Sequence, residues 1–167
     1  MSDIDIFTPE LLPRHGEWNA WIFALAATVG LVIIQSWAIV PSWVWFFVGF
    51  LYFSALSISL GHWMDRHTRL TLLPEGIAYE NGLRRARLEW NEIRQVRVLP
   101  ARWGRKVEVI GKSAHFSFST LGEVQFRGQL RGRTGFSQGD VILERVIRAA
   151  ELLVVTRQEP YTIYSRE

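Results

Sequence analysis

Hydrophobic and polar positions divide the chain into two regimes. From Trp18 to Gly61 there is no Asp, Glu, Lys or Arg, and Pro41 falls near the middle of that run. A helix rises about 1.5 Å per residue, so about 20 apolar residues cross a hydrocarbon core. Residues 18–40 and 42–63 each meet that length, and the proline between them prevents one continuous helix. The pattern predicts a transmembrane helical hairpin. A soluble helix this long would carry a polar face, and neither segment has one.

From Arg69 the period changes to two, the signature of half-buried strands. Leu70 and Leu72 alternate with Arg69 and Thr71, and Pro74-Glu75-Gly76 makes a turn into a second strand, Ile77–Glu80. Asn81-Gly82 is a strong hairpin signal because both positions tolerate positive φ. It leads into Leu83–Trp90, followed by Ile93–Leu99, Lys106–Ile110 and His115–Ser119, with turns at residues 100–105 and 111–114. Residues 120–136 hold one short candidate strand, Val124–Phe126, among Gly128, Gly132 and Gly135. A final amphipathic helix of about 15 residues begins near Val141 and repeats Ile142, Val146, Ala149 or Ala150, and Leu153 on one side. Ser137 and Asp140 stand at the spacing of a capping box, with Asp in place of Glu.

The run from Arg69 to Leu83, followed by Leu88 to Val96, resembles the opening strands of bacterial pleckstrin-homology-like (PH-like) domains. The features that carry the resemblance are Gly76-Ile77 after the first turn, the Asn81-Gly82 hairpin, and Trp90, Ile93 and Val96 at three-residue spacing. The resemblance spans residues 69–155. It implies an antiparallel β-barrel or sandwich closed by a C-terminal helix, placed after one or two membrane helices. The expected class is therefore an α+β membrane protein. Residues 1–17 form an N-terminal cytoplasmic segment, 18–63 the hairpin, 69–155 the PH-like domain and 156–167 a tail.

Charge supports this organisation. Of 19 Lys and Arg residues only Arg14 precedes the hairpin, and the turn around Pro41 has none. The positive-inside rule then places both termini in the cytoplasm of a bacterial inner membrane. The acidic segment before Trp18 and the length of the apolar run argue against a secretory signal. A pI near 9.7 needs no nucleic-acid partner once that topology accounts for the excess Arg. Six of the eight Trp residues border the hairpin: Trp18, Trp21 and Trp63 at one expected membrane face, and Trp37, Trp43 and Trp45 at the other. Indole favours such interfaces because it is apolar with one N–H to satisfy.

Small residues recur four apart, at Ala26 and Gly30, Ala55 and Ser59, and Ser57 and Gly61. Such pairs let helices approach closely. They either join the hairpin's own helices or leave a face for another membrane subunit or a second copy.

Chemistry-bearing motifs are sparse. With no Cys, thiolate catalysis and disulfides are excluded. His15, His62, His67 and His115 lack metal-ligand spacing, and no nucleophile elbow, P-loop or paired-carboxylate signature occurs. The reading is a non-enzyme without cofactor or metal. Three basic groups remain: Arg84, Arg85 and Arg87; Arg102, Arg105 and Lys106; and Arg127, Arg131 and Arg133. They are either solvated strand and loop positions or contacts for anionic headgroups or a protein partner. The Lys-rich first loop by which some eukaryotic PH domains bind phosphoinositides is replaced by Leu73-Pro74-Glu75-Gly76. Phosphoinositide binding is therefore not implied. The expected role is a membrane-anchored scaffold or interaction protein, with an accessory subunit of an energy-transducing or photosynthetic complex as the alternative.

Overall fold

Two long helices follow the first short strand of an antiparallel sheet and precede all its others. In the computed structural model, which describes residues 4–158 and 161–166, strand β1 (Asp5–Phe7) comes first. Helices α1 (His15–Gln35) and α2 (Trp43–Arg66) follow, and then β2 (Thr68–Leu73). β1 pairs antiparallel with β2, Phe7 opposite Leu70 and Asp5 opposite Leu72. Asp5–Phe7, within the expected N-terminal segment 1–17, thus belongs to the β-rich body, while His15–Glu17 already lie in α1. Pro13–Met64 forms one compact unit, and the residues before and after it form the other.

Within the helical unit, α1 and α2 have 21 and 24 residues, or about 31 and 36 Å at the standard rise. α1 stops before the expected residue 40. The Ser36 hydroxyl donates to the Ile33 carbonyl at 2.6 Å, and Pro41 biases the preceding residue away from helical ψ. Ala24, Val48 and Ala55 are the buried residues of this unit, yet most of its large apolar side chains are exposed, among them Phe46 and Phe53. Only 6% and 11% of the most apolar stretches of the two helices is buried.

The body shows why period two appears where it does. β2, β3 (Gly76–Asn81) and β4 (Arg85–Glu89) extend the first sheet in the order β1-β2-β3-β4. A single helical turn, Trp90–Glu92, then passes the chain to β5 (Ile93–Pro100), β6 (Arg105–Gly111) and β7 (His115–Ser119). The true capping box lies here: the Glu89 side chain accepts from the Glu92 backbone, and Glu92 accepts from the Glu89 N–H at 3.2 Å. Inward residues of both sheets, including Leu70, Ile77, Leu88, Ile93, Val96, Val107 and Val109, share one core with no measurable exposure. Trp90 pins the β2–β3 turn, its indole N–H donating to the Pro74 carbonyl at 2.9 Å.

Further features depart from the sequence expectation. Residues 122–134 form a two-stranded ribbon, β8 (Gly122–Phe126) with β9 (Gln129–Thr134). The final helix α3 (Gly139–Ala149) is shorter than expected, and no side chain caps its start, because Asp140 turns to the Arg105 guanidinium at 2.5 Å. Ile142, Leu143 and Val146 face the core, each worth up to about 1.5–3 kcal/mol of burial. Glu151 at φ 52 ends the helix, so Leu152 is buried while Leu153 is 57% exposed.

The supposed tail then forms β10 (Leu153–Gln158) and β11 (Tyr161–Ser165). β11 pairs with β5, giving a second sheet in the order β10-β11-β5-β6-β7. The strands do not close into a barrel; the described residues form separate four-, five- and two-stranded sheets. The architecture is α+β, two long apolar helices followed by antiparallel sheets.

Candidate functional site

The basic residues marked in the sequence are largely paired within the body. Arg85 binds Glu80 and Arg87 binds Glu75, each at 2.6 Å, across the pairings of β3, β4 and the β2–β3 turn. Arg105 is held by Asp140, and Lys106 by Glu108 at 2.8 Å. Arg133 lies 3.4 Å from Glu123, its cross-strand neighbour in the ribbon. Arg102 stacks on Trp103, 4.9 Å from the ring centroid. Arg127 and Arg131 are exposed on the ribbon, both making further interactions. The nine do not form one patch built of unneutralised charge.

Arg84 differs. Its guanidinium donates to a neutral acceptor, the His115 carbonyl, at 2.6 Å. The β3–β4 turn sets this position. Asn81-Gly82 was expected to supply the two central turn residues, but Gly82 and Leu83 occupy them. The Asn81 N–H donates to the Arg84 carbonyl at 3.1 Å, and the Asn81 side-chain oxygen accepts the Arg84 N–H at 2.9 Å. Gly82 stands first of the two with φ 80, in the left-handed region that glycine adopts without strain.

Arg84 forms one wall of a cleft of about 480 Å³ beside the β6–β7 turn. Lys112, Ser113, His115 and Ser117 come from the turn and from β7, and Lys106 and Glu108 from β6. The turn is rigid. The Gly111 N–H donates to the Ala114 carbonyl at 2.9 Å and the Lys112 N–H to the Glu92 carbonyl at 3.0 Å. A Cβ on Gly111 would stand 2.4 Å from the Leu88 side chain, so glycine there lets the turn sit directly on the core. Lys112 and His115 were not singled out as partners of Arg84, because only the meeting of the two sheets puts them beside it. The one local signal was Lys112 within the turn and His115 directly after it.

In the helical unit the small residues divide into two sets. Ala55 is buried, and Ser59 accepts the Trp21 indole N–H at 2.9 Å, so Trp21 faces the neighbouring helix rather than standing only as an interface anchor. Ala26, Ser57 and Gly61 are exposed, and neither Gly30 nor Gly61 has an atom within 4 Å of a built Cβ. Trp18, Trp37, Trp43 and Trp63 are exposed, Trp37 at 89%, and Trp45 is half-buried. α2 also carries an apolar groove of about 640 Å³ lined by Trp45, Phe46, Gly49, Phe50 and Phe53 with Ser42.

Polar contacts tie the helices at three levels: Glu17 to His62, Trp21 to Ser59, and Thr28, whose hydroxyl lies 3.2 Å from that of Tyr52. Among the described residues, no group of three or more His, Cys, Asp or Glu side chains could hold a metal ion.

No protein-family model, curated protein or solved structure matches this chain.

Proposed function

We propose that the chain is a non-catalytic, membrane-anchored interaction protein: a two-helix hairpin in a bacterial inner membrane carrying a PH-like body on the cytoplasmic side. The observation that carries this reading is the exposure of two adjacent helices whose apolar stretches are only 6% and 11% buried. That much apolar surface needs lipid or another protein to cover it. The β1–β2 pairing supports the hairpin reading, since the strands that flank the two helices in sequence share one sheet. The Arg-rich body then selects the cytoplasmic side. Within this reading the body contacts an anionic lipid surface or a protein partner.

Alkaline carbonate extraction tests the anchor: the chain stays with the membrane pellet, and release into the supernatant overturns the reading. A Cys replacing Ser42 should react with an impermeant reagent from outside the cell. Reaction only after lysis reverses the orientation.

A second reading, an accessory subunit of a larger membrane complex, is favoured by the exposed Ala26, Ser57 and Gly61 and by the groove on α2. Stoichiometric co-purification of other membrane subunits in mild detergent supports it, and a monomer or homo-oligomer counts against it.

A further inference from the structure

We infer that the cleft beside the β6–β7 turn binds a phosphate group, with Arg84 and Lys112 supplying charge and His115 and Ser117 supplying hydrogen bonds. For a lipid source this deepens the anchored reading above; for a free phosphorylated solute it stands without it.

The cleft is set apart by which charges remain unneutralised. Arg85, Arg87, Arg105, Lys106 and Arg133 each face a carboxylate. Arg84 spends one N–H on a carbonyl, which fixes the guanidinium without cancelling its charge, and its other donors stay available. Lys112 has no carboxylate within ion-pair distance among the described residues, and the same cleft holds both. Glu108, the one carboxylate on the wall, is engaged by Lys106 at 2.8 Å. The balance of the cleft is therefore positive.

Shape and rigidity agree with charge. A volume near 480 Å³ falls in the range of small-ligand pockets, about 300–1,000 Å³. The Lys112 backbone is pinned to Glu92, Gly111 sits on Leu88 and Arg84 is held by the His115 carbonyl, so the turn and the guanidinium need little ordering on binding, and the exposed Lys112 side chain is what the ligand orders. Guanidinium, ammonium and hydroxyl donors converging on one cleft match the acceptor oxygens of phosphate.

The test uses the full chain in nonionic detergent. Inorganic phosphate is titrated while the His115 ring signals are followed by NMR with labelled histidine. Separately, native mass spectrometry compares retention of phosphatidylglycerol with that of phosphatidylcholine. The variant is R84Q/K112Q; the control is R94Q/R148Q, which removes the same charge from exposed positions outside the cleft.

A saturable His115 shift with inorganic phosphate and no lipid preference assigns a free phosphorylated solute. At least fivefold preferential retention of phosphatidylglycerol assigns a headgroup. In either case R84Q/K112Q should lose the effect and the control keep it. Absence of both effects, persistence in R84Q/K112Q, or equal loss in the control overturns the proposal. If carbonate releases the chain, the anchored reading falls, but the phosphate titration still decides the cleft.

Discussion

The Nδ1 atom of His62 lies 3.0 Å from Oε2 of Glu17, joining the start of α1 to the last turns of α2. It is the first of three polar cross-contacts along an otherwise apolar helix pair. Apolar side chains slide past one another at little cost, whereas a hydrogen bond is satisfied at one offset only. Such contacts therefore fix the register of two helices whose surroundings do not.

The Trp21–Ser59 contact offers a direct measure of this. Trp21→Phe and Ser59→Ala should each lower hairpin stability by about 0.6 kcal/mol. The double variant should cost less than the sum of the two, since both remove the same bond, although Ser59→Ala also loses its contact with Glu17 and Trp21→Phe alters the packing on Tyr52. Unfolding of the reconstituted chain in mixed detergent reads the difference, and full additivity would show that the bond contributes nothing.

Ala55 and Ser57 belong to the same helix but should respond oppositely. Ala55 has no exposed surface, so Ala55→Leu should overpack the hairpin and destabilise it by about 1–3 kcal/mol. Ala26→Leu and Ser57→Leu add bulk on the outside and should leave hairpin stability unchanged. Loss of co-purifying subunits in those two variants alone would favour the accessory-subunit reading.

Gly111 and Leu88 make a paired test of the core beneath the cleft. Gly111→Ala places a methyl group against the Leu88 side chain and should destabilise the body by about 1–3 kcal/mol. Leu88→Ala alone should cost about 2–5 kcal/mol through the cavity it leaves. Combined, the two should cost less than their sum, because the cavity receives the new methyl. Denaturant unfolding of the full chain in detergent, followed by body-specific fluorescence, checks the coupling.

Removing residues 1–8 should strip β1 from the first sheet. Amide exchange should then rise at Leu70 and Leu72, whose strand becomes an edge, while Val107 and Val109 in the second sheet keep their protection. Unchanged exchange in β2 would mean that the pairing contributes no protection in solution.

Periodicity made much of this fold legible, and its failures have identifiable causes. β2 to β7 could be read because Leu70, Leu72, Val107, Val109, Phe116 and Phe118 alternate with polar neighbours, each strand burying one face. β1 is three residues long, and its partner lies beyond both helices, so no local pattern marks it. β10 runs Leu153-Val154-Val155 with all three exposed, which gives no alternation to read and lets Leu153 pass for the last helical position. The basic residues were visible, but their worth was not. Only strand register shows that Arg85 meets Glu80 and Arg133 meets Glu123, while Arg84 reaches a carbonyl from the other sheet.

Because β2 takes its first neighbour from a strand made before either helix, synthesis has an enforced order. The opening residues leave the ribosome without a mate and must wait until the whole apolar loop has been made. A chain stalled partway through that loop presents an unfilled sheet edge, the kind of surface that quality-control proteases and chaperones engage. Completion of the first sheet therefore waits on the synthesis of both helices.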